Sequence, residues 1–171
     1  MNERSIEITN CTEEVRAMTT LLANFFRYHL WANLRILDAC AHLSDTQLDI
    51  CVPGTFGSVR KTLVHIVAAE EGYVRIFMGK APTRSLREDD PFPGFDELRR
   101  RAELCGESLL AIVEQFDPER VFHLSDEGQF YDVPAILVLI QAINHATDHH
   151  SQIATMLSQQ GITLPELNSW A

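Results

Sequence analysis

Two histidines four residues apart, His145 and His149, lie in the run Gln141-Ala142-Ile143-Asn144-His145-Ala146-Thr147-Asp148-His149-His150-Ser151-Gln152-Ile153. In a helix, side chains at i and i+4 stand one above the other on the same face. At about 100° per residue, Val138, Ala142, Ala146, Ile153 and Met156 fall on that face too. The two rings therefore sit in an apolar stripe and need partners, because a buried polar group without one costs about 1–3 kcal/mol. A divalent metal suits neutral imidazoles well. A third ring, His65, belongs to another helical run and shares its face with Ala68, Ala69, Gly72 and Ile76. Such small residues let a neighbouring helix approach closely. An i, i+4 pair plus one histidine from a facing helix makes a three-ligand tripod with positions left for water and substrate. The spacing alone is moderately specific. Its alternative is three core or surface histidines satisfied by ordinary hydrogen bonds.

The remaining candidates carry weaker signals. His29 lies on the inner stripe of the first helix and reads as a core histidine bonded to a neighbour, with an approach to the site as the alternative. His150 points about 100° away from His149. It is therefore a poor fourth ligand and reads as a flanking or surface side chain. Glu70 and Asp148 fall off the inferred metal face. Gln152, one turn beyond His149, is read either as orienting a bound water or as a boundary residue. His42 suits a helix C-terminus, where positive charge is favourable. His123 is expected to be exposed, and Trp31 near Tyr28 to pack in the core. The charged stretch from Arg84 to Asp90 reads as a solvated loop. No Ser-His-Asp order, phosphate-cradling glycine loop or dinucleotide fingerprint is present, and no general base is assigned.

Four helices are predicted to position these residues. The first begins near Thr12, with Thr12-Glu13-Glu14 as its capping signal. It runs to about Leu43, with Met18, Leu22, Phe25, Ala32, Ile36 and Cys40 on one face. Ser44-Asp45 opens a loop rich in turn residues, Pro53-Gly54-Thr55-Phe56-Gly57. Ser58 caps the second helix, which ends at Gly79 and has a second apolar strip in Leu63, Val67 and Val74. An exposed loop with Pro82, Pro91 and Pro93 follows. The third helix spans about Phe95 to Phe116 and buries Leu98, Ala102, Leu109 and Val113. Val121–Leu124 and Gln129–Tyr131, flanking Glu127-Gly128, read as a small hairpin. The fourth helix starts at Asp132 as cap, with Pro134 in its first turn, and stops at Gly161. Its second apolar strip, Ile136, Ile140 and Ile143, suggests packing against another subunit. The fold class is all-α, a four-helix bundle in a single domain over residues 1–171.

Composition narrows the function classes. A net charge of −10 and a pI near 5.1 oppose nucleic-acid or anionic-membrane binding, both of which recruit basic surfaces. No run approaches the roughly 20 apolar residues of a membrane span. No apolar signal region follows Met1-Asn2-Glu3-Arg4-Ser5, so a cytoplasmic setting is expected. The four cysteines, Cys11, Cys40, Cys51 and Cys105, lack metal-type spacing and are expected to be reduced thiols.

Several short motifs in this order resemble the DinB-like family of metal-binding four-helix bundles, related to YfiT-like and mycothiol-dependent maleylpyruvate isomerase proteins. They are Trp31-Ala32-Asn33, Phe56-Gly57-Ser58, His65-Ile66-Val67-Ala68-Ala69-Glu70 and His145 through Ile153. The resemblance spans about residues 12 to 160 and implies metal ligands at His65, His145 and His149, and frequently a homodimer. His150-Ser151 stands where family members often carry Arg-Gly. The resemblance further implies a zinc or nickel enzyme, a thiol-dependent S-transferase or isomerase using a low-molecular-weight thiol on a small-molecule substrate, or a metal-activated hydrolase. Its alternative is a non-catalytic dimeric metal-binding stress-response protein.

Overall fold

Residues 3–11 contain neither proline nor glycine, so nothing local stops a helix that already runs through Thr12. In the computed structural model, which describes residues 3–81, 83–87, 90–126 and 128–168, α1 accordingly spans Glu3–Cys40. Thr12 is therefore an interior residue of α1 and not its cap. Of the predicted stripe, Ala32, Ile36 and Cys40 are buried and Met18 and Leu22 half-buried, but Phe25 falls outside it. Ala23, Phe26, His29, Asn33, Leu37 and Cys40 face inward, while Phe25 is 51% exposed.

The predicted loop at Ser44 contains one helical turn, α2 (Asp45–Leu48), closed by a capping box between Ser44 and Gln47. The second long helix, α3 (Val59–Met78), begins and ends as its sequence indicates. Ser58 accepts the Lys61 N–H, and Gly79 closes the helix at φ 74°, a left-handed conformation that glycine adopts without strain. Next comes α4 (Phe95–Glu114), which buries Leu98, Ala102, Leu109 and Val113. On its inner face Gly106 allows close packing on α1, since a Cβ there would stand 2.5 Å from Leu30 Cδ1.

The hairpin forms as β1 (Val121–Asp126) antiparallel to β2 (Gln129–Pro134), with Phe122 opposite Val133 and Leu124 opposite Tyr131. Glu127 lies outside the described residues. Phe122 meets the edge of Phe77 at 4.9 Å, which docks the hairpin on the bundle. Asp132 does not cap the last helix. It belongs to β2, opposite His123, and its carboxylate accepts from His123 Nδ1 at 2.6 Å. Pro134 occupies the N-cap position instead, and the Ala135 N–H donates to Arg120 O at 2.8 Å. The last helix, α5 (Ala135–Ser158), stops short of Gly161. Gly161 adopts φ 72° in the turn that follows, and the Ile162 N–H closes back on Leu157 O at 3.0 Å.

The long helices form a ring of neighbours: α1 packs on α4, α4 on α3, α3 on α5, and α5 on α1. This is a four-helix bundle. Its interior has two apolar halves, one around Leu37, Leu63, Leu98 and Ile153, the other around Phe26, Val74, Leu109 and Leu139. On α1 and α3 a polar layer separates them, formed by His29, Asn33, Glu70 and Glu71, all buried.

The segment after α3 is not simply solvated. Thr83 Oγ1 and the Leu86 N–H donate to the carboxylate of Glu71 at 2.6 and 2.7 Å, and Arg101 Nη1 joins them at 2.7 Å. Arg101 also donates to Arg84 O at 2.7 Å. A fully buried carboxylate thus pins the loop to α3 and α4. Pro82, Glu88 and Asp89 of this stretch lie outside the described residues.

Candidate metal centre

Because α3 and α5 are neighbours in the ring, the face bearing His65 meets the face bearing His145 and His149. One ligand atom from each ring lies within 4.8 Å of the others. His145 Nε2 and His65 Nε2 stand 3.0 Å apart. Two ring nitrogens at that distance share either a proton or a cation. His149 is buried and its two companions are half-buried, so the cluster lies near the bundle surface and is reachable from it.

The surroundings orient the rings. Gln152 Oε1 faces His149 Nδ1 at 3.3 Å and accepts the Phe56 N–H at 2.9 Å. Gln152 Nε2 donates in turn to Asp148 Oδ2 at 2.8 Å. With Nδ1–H committed to Gln152, His149 presents the lone pair of Nε2, the arrangement in which an outer carbonyl sets the tautomer of a metal ligand. Phe56 stacks on His65 with centroids 3.9 Å apart and meets His149 edge-on at 5.5 Å. Tyr73 approaches His145 edge-on at 6.1 Å. Burial, and then the neighbouring His149 and His65, lower the His145 pKa from 6.5 to about 4. Its ring therefore stays neutral, with a lone pair to offer, into mildly acidic solution.

The donor set fits a metal ion. It holds three imidazoles on two rigid helices, one with its tautomer set from behind, and no carboxylate within the cluster. Neither Phe56 nor the clasping role of Gln152 was evident as a site feature from residue spacing. Phe56 was visible as part of a turn-rich stretch and of a resemblance motif, without a role at the site, and the Gln152 contact links residues 96 apart in sequence.

Other histidines fall elsewhere. His29 Nε2 donates to Glu70 Oε1 at 2.6 Å, and Asn33 Nδ2 donates to the same oxygen. His29 is thus a bonded core histidine, and Glu70, off the metal face as expected, is its partner. His123 is exposed. His150 is not a surface residue: it is 5% exposed, because the α5 face next to the triad turns toward α1 and the tail at 162–168, not toward water. Trp31 does not pack in the core. It is 37% exposed, with the Arg35 guanidinium 5.3 Å from its ring.

Burial, followed by the charges of His29 and His149, lowers the His150 pKa from 6.5 to about 4. The folded state then binds fewer protons than the unfolded chain between those values, so stability falls as pH drops through that window. The full effect is about 3 kcal/mol. Urea midpoints of metal-free protein are expected to decline from pH 7 to pH 4.5, with a shallower decline in His150→Phe. Parallel profiles for the two proteins would contradict this assignment.

A helical bundle carrying a three-histidine cluster on facing helices defines the class. The DinB family model matches residues 18–170. This chain belongs to the DinB family. It is 22% identical over 154 residues to Protein DinB of Bacillus subtilis (strain 168), covering 84% of this chain and 88% of that protein. A DinB-like protein of Bacillus cereus ATCC 10987 has the same fold, with a TM-score of 0.65 at 19% identity over 85% of this chain and 94% of that one. No helix among the described residues is long and apolar enough to cross a membrane.

Proposed function

We propose that this protein is a metal-dependent enzyme that joins a low-molecular-weight thiol to an electrophilic small molecule, as an S-transferase or isomerase. His65, His145 and His149 would hold one zinc or nickel ion, and their convergence within 4.8 Å is the observation that carries the reading. Three neutral ligands leave such an ion its full charge, which lowers the pKa of a bound thiol or water. The chain's own contribution is orientation. Gln152 sets the His149 tautomer, Phe56 covers one side of His65, and Tyr73 borders His145. Activation of water instead of thiol would make the same site a hydrolase.

A homodimer is part of the proposal. Leu137 and Ile140 on α5 and Leu21 and Phe25 on α1 are between 46% and 57% exposed, an apolar surface suited to a second copy. A cytoplasmic setting is consistent with the free, buried thiols of Cys40 and Cys105.

The test adds cysteine or glutathione to zinc- or nickel-loaded protein and follows both the melting temperature and consumption of a halonitroarene. A thiol-dependent stabilisation together with thioether formation, both absent from His149→Ala, is expected. Metal binding without any thiol effect would point to a non-catalytic metal-binding protein.

A further inference from the structure

A cavity of about 500 Å³ lies between α1, α5 and the non-helical tail at 162–168, on the α5 face next to the triad. None of the three clustered histidines lines it. Its walls are largely aliphatic, including Ala32, Ile36, Ile143 and Leu164. The tail is fastened over it where Tyr28 Oη donates to Leu167 O and Arg35 Nε donates to Glu166 O at 3.2 Å. The volume falls in the ordinary range of small-molecule sites, which combine apolar walls with a few placed polar groups.

The hydroxyls of Thr147, Ser151 and Ser158 on its wall already donate to carbonyls of their own helix, and the buried polar side chains are His29 and His150, at 3% and 5% exposure. His29 is held through Nε2 by Glu70 Oε1 at 2.6 Å, which leaves Nδ1 as the ring nitrogen that Glu70 does not occupy. Behind it, Glu70 Oε2 and Asn33 Oδ1 are buried acceptors without partners among the described residues. Asn33 and His150 also border a void of about 10 Å³ that is otherwise aliphatic. The polar layer is therefore rich in acceptors and favours a ligand that brings a proton donor. No lysine or arginine lines the cavity, and its one charged wall residue, Glu166, is exposed. A carboxylate head would find no counter-charge there. An ammonium head would lose its hydration, and Glu70, the buried carboxylate behind His29, does not itself line the cavity. A hydroxyl both donates and accepts, and so can meet both ring systems without bringing a charge into the cavity.

We infer that this cavity is a second binding site, for an uncharged small molecule with an aliphatic body and a hydroxyl head. The site is independent of the thiol chemistry proposed for the triad. The test titrates metal-loaded protein with 1-octanol, octanoate and octylammonium, reading the heat of binding. Octanol is expected to bind saturably at one site per chain, with both charged analogues at least about tenfold weaker. Ala154 is an exposed residue lining this cavity. Ala154→Trp is therefore expected to abolish octanol binding while metal content and oligomeric state stay unchanged. His150→Phe keeps the wall but should remove the preference for the alcohol. Equal binding of all three probes, tighter binding of a charged one, or indifference to Ala154→Trp would overturn the assignment. So would dissociation of an oligomer by Ala154→Trp, which would make the cavity part of an interface between copies.

Discussion

His65→Ala and His149→Ala are each expected to lose the bound metal while keeping the helical fold. Each ring supplies one of three ligand atoms held within 4.8 Å by two helices, and two remaining imidazoles cannot close the tripod. Removing an outer residue that orients a ligand lowers metal affinity about 10–100-fold, so losing a ligand itself should exceed about 100-fold. Gln152→Ala supplies the comparison. It frees His149 Nδ1 and the Phe56 N–H together and should fall within that 10–100-fold range. The fold should survive because His65 is only half-buried, and His149, though buried, belongs to a cluster whose other two rings are half-buried. Elemental analysis after dialysis against a competing chelator, alongside helical circular dichroism, makes the measurement. Wild type should retain about one ion per chain and both variants essentially none. Full metal content in either variant, or none in wild type, would reduce the cluster to three histidines sharing protons.

Local pattern revealed the elements that depend on local chemistry. Ser58 and Gly79 bracket α3 because a capping hydroxyl and a left-handed glycine act within a few residues of themselves. His65, His145 and His149 were legible for a related reason: ligands on helices must share faces, and faces follow from the helical period. What stayed hidden depended on distant partners. Asp132 has the chemistry of a cap, but β1 claims it, and only the strand register decides that. His150 lies outside the triad's face, and whether that direction meets solvent or protein depends on the tail at 162–168. Phe25 and Ala23 differ by two positions, yet one is exposed and the other buried because α1 packs on α4 and α5 at a particular rotation. Periodicity marks a stripe but does not fix its orientation to within one residue.

Glu71→Ala is expected to destabilise the protein by about 3 kcal/mol while leaving metal affinity intact. Glu71 has no exposure, and its two oxygens accept from Arg101, Thr83 and the Leu86 N–H at 2.6–2.7 Å. Breaking a buried ion pair from one side costs about 3–5 kcal/mol, because the surviving charge is left unpaired. Here Arg101 keeps a second partner, since its Nε donates to Glu97 at 2.6 Å, which places the expected cost at the lower end. The remainder comes from the Thr83 hydroxyl and Leu86 N–H, two donors left without an acceptor. Glu71→Gln should recover little, because its amide turns one acceptor into a donor facing other donors. Replacing the pair together, as Glu71→Leu with Arg101→Met, should be milder than Glu71→Ala, since an apolar pair removes the stranded charge. Metal affinity should not change, because Glu71 lies outside the triad and its surrounding contacts. Urea denaturation of the three variants, each with matched metal content, separates these contributions. A loss below about 1 kcal/mol in Glu71→Ala would mean that this carboxylate does not anchor the loop, since changes of that size are common for ordinary substitutions.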